Sequence, residues 1–180
     1  MADKDASSKG SAKGAGSGED RDSPFTGTLD TSHRGAQMPD LTFTDPAGKT
    51  LRMLDLTGKP LLVNLWATWC APCVLEMPML DDLAVAHDGK VRVLTVSQDM
   101  EGANKVGPFF AEKKFRKLEP WIDSVNDLGF HYNTGVLPTT VLYDAQGREV
   151  WRMVGAYDWA SPAASTLIMD ALAGRNPAAR

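Results

Sequence analysis

The chain has 180 residues, 43% of them hydrophobic, enough for one globular domain with a substantial core. Its formal net charge is −4, with 19 Lys and Arg against 23 Asp and Glu, which excludes the basic surplus of a nucleic-acid-binding domain. Only two cysteines are present, three positions apart, so a multi-disulfide scaffold is excluded, and no apolar run approaches the roughly 18 residues of a membrane-spanning helix.

From Ala2 to Pro24 there is no Val, Ile, Leu, Phe, Tyr or Trp, and Met1 to Gly18 lacks the apolar stretch of a secretory signal. Such a segment cannot bury enough apolar surface to offset its ordering entropy. Residues 1–24 are therefore expected to be a disordered tail or linker, and residues 25–180 a domain with its ordered core at about 38–174. Two readings of the tail stay open: a flexible spacer to a membrane anchor, or a tail without a role.

Leu41–Thr44 and Thr50–Leu56 read as strands joined by the turn Asp45-Pro46-Ala47-Gly48. Leu61–Trp66 is nearly all apolar, as in a strand covered on both faces. A helix is expected over Cys73–Ala86, with Leu75, Met79, Leu83 and Ala86 inward and a kink at Pro78. Val91–Ser97 reads as another buried strand. Gly102–Lys114 reads as a helix carrying Val106, Phe109 and Phe110 on one face, and Ser124–Tyr132 as a shorter helix. Lys105, Lys113, Lys114, Arg116 and Lys117 have acidic neighbours and read as solvated surface. Thr139–Tyr143 and Glu149–Val154 form a hairpin through Asp144-Ala145-Gln146-Gly147. A last helix starts with Ser161 as N-cap and Pro162 in its first turn, and Gly174 closes it. Helices alternating with buried strands imply an α/β sheet with helices on both faces.

The chemistry concentrates at Trp69-Cys70-Ala71-Pro72-Cys73, between a buried strand and a helix. The thiolate is the reactive form of cysteine, and unpaired N–H groups and the dipole at a helix N-terminus favour it. Cys70 is thus expected to be exposed and to attack. Cys73, one turn further in, is expected to be buried and to resolve the mixed disulfide formed at Cys70. Pro72 rigidifies the loop and Trp69 flanks the sulfur. A zinc site would need further ligands; there is no second C-x-x-C, and His33, His87 and His131 are scattered. Met77, Met79, Met100 and Met169 read as packing rather than soft-metal ligands, and Trp121, Trp151 and Trp159 as packing or rim residues. Asp99 and Glu101, just after a strand, receive no specific role.

Four segments together resemble the thioredoxin superfamily, in its TlpA/ResA/DsbE-like branch: Leu61 through Cys73, Glu76-Met77-Pro78, Gly135-Val136-Leu137-Pro138-Thr139-Thr140, and Asp144-Ala145-Gln146-Gly147. The resemblance spans about Met38 to Gly174. It implies a thioredoxin-like three-layer sandwich: a central mixed sheet flanked by helices, with an N-terminal β-hairpin extension and a helical insertion over Asp99–Asp123. It implies that Pro138 is cis beside the sulfurs, and that Leu137 and Pro138, with Trp69 and Pro72, bind the substrate chain. Thioredoxin carries a buried Asp where this chain has Asn64, which cannot titrate. Glu76, three residues after Cys73, is the nearest acid. It is either a buried acid of raised pKa that exchanges protons with Cys73, or a solvent-facing glutamate.

The activity implied is thiol–disulfide exchange, as a reductase of disulfides in periplasmic or other extracytoplasmic proteins of cytochrome c maturation or copper-site assembly. The resemblance further implies a monomer, membrane-anchored in its native form and recharged by an upstream dithiol protein. No flavin or nicotinamide motif is present, so no cofactor is expected. The alternatives are a disulfide oxidase, and a non-catalytic copper-chaperone or protein-binding module on the same scaffold. Related copper chaperones resemble C-x-x-x-C with a distal His, a pattern this chain lacks. Peroxidase chemistry expects a lone cysteine after Thr-x-x, which the segment does not match.

Overall fold

The computed structural model describes residues 23–177. The tail expected at 1–24 lies almost wholly outside the described residues. In chain order come β1 (Thr28–Asp30), β2 (Thr42–Thr44), β3 (Thr50–Arg52), a 3-10 turn (Met53–Leu56), β4 (Leu61–Trp66), α1 (Ala71–Ala86), β5 (Arg92–Ser97), α2 (Ala103–Lys113), β6 (Trp121–Ile122), α3 (Asp127–Tyr132), β7 (Thr139–Tyr143), β8 (Glu149–Val154) and α4 (Pro162–Leu172).

The strands form one mixed eight-stranded sheet in the order β1-β8-β7-β4-β5-β6-β2-β3. β4 lies inside it, parallel to β5 and antiparallel to β7. All six of its residues are buried, as its continuous apolar run requires. Side chains alternate along it. Leu62 and Trp66 join the core under α1, α2 and α4, whereas Leu61, Val63 and Leu65 join the core that takes Leu128 and Tyr132 from α3. Helices thus cover both faces, and the thioredoxin-like fold is the one expected.

Five local expectations need correction. The helix expected from Ser124 begins at Asp127, after Asn126 in the left-handed region. The second N-terminal strand ends at Arg52, because Met53–Leu56 turns away as a 3-10 helix that buries Met53. α1 begins at Ala71 rather than Cys73, with Cys70 as its N-cap. Its inward stripe is Cys73, Glu76, Met77, Leu80, Leu83 and Ala84, while Leu75 is 46% exposed. Apolar residues occur around much of this helix, and the one through Cys73 is the stripe that meets the sheet. The strands β1 and β6, of three and two residues, go beyond the sequence expectation: β2 and β3 are no longer than β1, but a tight turn joins them and marks a hairpin, and β1 and β6 have no such turn beside them.

The start of α4 follows its sequence signals. Ser161 Oγ accepts a hydrogen bond from the Ala164 amide at 3.1 Å, and Pro162 fills the first turn. Removing that cap with Ser161→Ala should cost about 1 kcal/mol of stability in chemical denaturation.

Candidate active site

β4 ends at Trp66, and the chain turns through Thr68 and Trp69 into α1. The turn is fastened from the neighbouring strand. Asp99, buried just beyond β5, accepts from the Thr68 amide (2.9 Å), the Thr68 hydroxyl (2.6 Å) and the Ser97 hydroxyl (2.6 Å). A buried carboxylate satisfied by three donors holds its loop firmly. The only sequence signal for this role is Asp99's place at the end of a strand beside β4.

Cys70 and Cys73 form a disulfide with their Cα atoms 5.3 Å apart. The Cys73 amide points at Cys70 Sγ, at 3.4 Å. A thiolate at that N-cap would face the unpaired amides of the first turn, which lower a thiol pKa. Cys70 is less open than an exposed attacking thiol would be. It is 7% exposed and Cys73 is 1% exposed, because Trp69 and the loop before β7 wall in the sulfur. What access there is lies on the Cys70 side.

That side opens into a groove of about 480 Å³, lined by Trp69, Cys70, Pro72, Val136 and Leu137 among others. The Leu137–Pro138 peptide is cis. The loop is braced internally: Thr139 Oγ1 donates to the Val136 carbonyl at 2.7 Å, and the Thr134 and Thr139 hydroxyls lie 2.8 Å apart. Behind it the Gly155 amide donates to the Pro138 carbonyl at 2.9 Å. Trp69 is 69% exposed at the rim. On its other flank a second hollow of about 510 Å³ is bordered by Thr68, Asp99, Met100, Glu101 and Lys105.

Glu76 is completely buried, one turn from Cys73 on the inward stripe of α1. Its Oε1 accepts from the Tyr157 amide at 2.6 Å and from Trp159 Nε1 at 3.0 Å. Its Oε2 faces Asn64 Nδ2 at 3.4 Å. Burial pushes its pKa up to about 7, against the opposing pull of these hydrogen bonds. An acid that changes charge near neutrality can give and take protons at working pH. Tyr157 and Trp159 are the partners that sequence reasoning missed; they lie 81 and 83 positions away, and nothing local announces them.

The remaining candidates sort by packing. Met77, Trp121, Trp151 and Trp159 are buried, whereas Met100 and Met169 are exposed and do not pack as expected. Among the described residues no group of three or more His, Cys, Asp or Glu is placed to hold a metal ion.

Comparison with known proteins points the same way. The chain is 31% identical over 121 residues to the thiol-disulfide oxidoreductase ResA of Bacillus cereus, covering 67% of this chain and 69% of the relative. Its fold is similar to that of the thiol:disulfide interchange protein DsbE from Chlorobium tepidum (TM-score 0.69, 23% identity, 77% of this chain and 97% of the other). It also resembles the exposed lipoprotein thioredoxin Etrx1 of Streptococcus pneumoniae (TM-score 0.60, 26% identity, 73% and 99%). The TlpA/ResA/DsbE-like resemblance therefore holds, and thiol–disulfide oxidoreduction is the activity of this enzyme. The family profile described as AhpC/TSA matches residues 34–172, and the chain belongs to that family.

Proposed function

We propose that the protein reduces disulfides in extracytoplasmic partner proteins, of the kind met in cytochrome c maturation or copper-site assembly. The observation that carries this reading is that Cys70 lines the groove and Cys73, one turn further into α1, does not. In the reduced enzyme the Cys70 thiolate attacks one sulfur of the partner disulfide. A mixed disulfide forms, and the partner's other sulfur leaves as a thiolate. Cys73 then passes its proton to Glu76 and attacks Cys70 Sγ. The partner departs with both cysteines reduced, the Cys70–Cys73 disulfide closes, and two electrons have moved. An upstream dithiol protein restores the reduced pair by the reverse steps. Trp69, Pro72, Leu137 and Pro138 hold the partner's chain during attack. The lipoprotein character of the pneumococcal neighbour supports an extracytoplasmic setting with a membrane tether. Among the described residues no helix is long and apolar enough to cross a membrane.

Cys73→Ser tests the assignment. It should hold partners on Cys70 as mixed disulfides, recoverable from cell extracts and released by reductant, whereas Cys70→Ser should hold none. Trapping by Cys70→Ser instead would reverse the roles. The direction rests on the reduction potential: a value near the roughly −120 mV of a strong dithiol oxidase would overturn the reducing role.

A further inference from the structure

The two oxygens of Glu76 are held unequally. Oε1 takes both fixed N–H donors, from Tyr157 at 2.6 Å and Trp159 at 3.0 Å. Oε2 faces only the Asn64 side-chain amide, at 3.4 Å. Asn64 is itself completely buried. Its Nδ2 also donates to Thr140 Oγ1 at 2.9 Å, while its Oδ1 is buried without a hydrogen-bond partner. An orphaned buried carbonyl oxygen is costly, and it asks what else it pairs with.

The answer follows from where a proton can sit on Glu76. Two N–H groups already point at Oε1, so a proton there would meet donors head-on. A neutral Glu76 therefore carries its hydrogen on Oε2. In the arrangement just described, that O–H would face Asn64 Nδ2–H, again donor against donor. A half-turn of the Asn64 amide about its last side-chain bond removes the conflict and moves the unpartnered place from the carbonyl oxygen to the NH2, a cost set against the two new hydrogen bonds that the oxygen gains. Oδ1 then accepts from Glu76 Oε2–H. The Thr140 hydroxyl, which can donate as well as accept, reverses and donates to the same oxygen.

We infer that Asn64 and Thr140 are positioning residues for the proton that Glu76 holds: the amide and the hydroxyl reverse together whenever Glu76 gains or loses that proton. This inference rests on the reading of Glu76 as the proton partner of Cys73. It gives Asn64 a reason to differ from the Asp of thioredoxin. A second carboxyl group would set a like charge against Glu76, whereas an amide of the same shape offers a donor on one side and an acceptor on the other. The groups that hydrogen-bond Glu76 are Asn64 from β4 and Tyr157 and Trp159 from the segment after β8; Thr140 from β7 bonds Asn64, and Cys73 lies one turn away on the buried stripe of its own helix. Cys73 is the titratable partner in the reduced enzyme, and no charged side chain contributes to the displacement of Glu76's titration.

The test is a pH titration of the reduced, isotope-labelled full chain by NMR, from about pH 5 to about pH 9, bracketing the Glu76 midpoint. The Glu76 carboxyl carbon reports its charge, and nuclear Overhauser contacts between the Asn64 side-chain NH2 and Thr140 report the amide's direction. These contacts should be present when Glu76 is charged and lost, with the same midpoint, when it is neutral. In Glu76→Gln the Tyr157 and Trp159 donors fix the new amide oxygen at the Oε1 place, so its NH2 faces Asn64. The contacts should then be absent at every pH. If Glu76 titrates in this range and the Asn64 contacts persist or never form, the inference is overturned and the role of Glu76 stands. If Glu76 does not titrate in this range, both are overturned.

Discussion

Arg152→Met is expected to destabilise the protein by about 3–5 kcal/mol, the cost of leaving a buried charge without its partner. Arg152 and Glu149 both lie on β8 with almost no exposed surface, 4% and 2% by side chain. Residues three apart on a regular strand point to opposite faces. Here the register slips between Leu142 and Tyr143, so that Glu149 pairs with Tyr143 while Trp151 already pairs with Leu142. The bulge at Val150 brings the two side chains to one face. Arg152 then grips the carboxylate with Nε and Nη2, both at 2.7 Å, and its Nη1 donates to the Tyr132 carbonyl at 3.1 Å. Tyr132 ends α3, and its ring lies 5.4 Å from the guanidinium. The pair therefore supports the helix that leads into the groove-wall loop 133–137. Urea denaturation of the single variant and of Glu149→Leu/Arg152→Met separates the causes. The double variant should recover most of the loss, since two apolar side chains leave no buried charge. A single-variant loss below about 1 kcal/mol, the range of an exposed ion pair, would overturn the account.

Much of the site was legible because its signals are local. The apolar run Leu61–Trp66 announced a strand covered on both faces, and the two cysteines at its end fell at a helix start. The Asp144–Gly147 turn and the Ser161 cap needed only their own residues. What stayed hidden depends on distant partners. β1 exists because Thr28 meets Val154 across most of the chain. A glutamate and an arginine in a strand read as exposed until the bulge that unites them is known. Asp99 carried no role until β5 was seen to deliver it beside Thr68. Glu76 admitted two readings because either face of α1 offered apolar neighbours; the choice falls to the tertiary contact that seats Cys73.

Glu76→Gln should make the oxidised protein more stable at alkaline pH and a slower enzyme. In the native state burial raises the Glu76 pKa from 4.5 to about 7. The folded protein thus binds this proton more tightly than the unfolded chain, and stability must fall with rising pH wherever the two differ. The contribution is fully present below about pH 4.5 and is lost as the pH rises through about 7. A displacement of this size corresponds to roughly 3 kcal/mol at its limit. Gln has the same shape and keeps an acceptor for Tyr157 and Trp159, but it carries no charge. The variant should match the parent near pH 4.5 and exceed it by about 2–3 kcal/mol near pH 8.5, with a flatter slope between. Thiol exchange should move the other way. Without an acid–base group beside Cys73, closure of the Cys70–Cys73 disulfide at neutral pH should slow by about 10²-fold. Parallel pH profiles of stability in the two proteins would mean that Glu76 keeps an ordinary carboxylate pKa despite its burial. Unchanged closure kinetics would mean that Cys73 yields its proton elsewhere. Both effects trace to one buried carboxyl group, so the stability that Gln restores at high pH measures the cost of keeping an ionisable acid at this buried position.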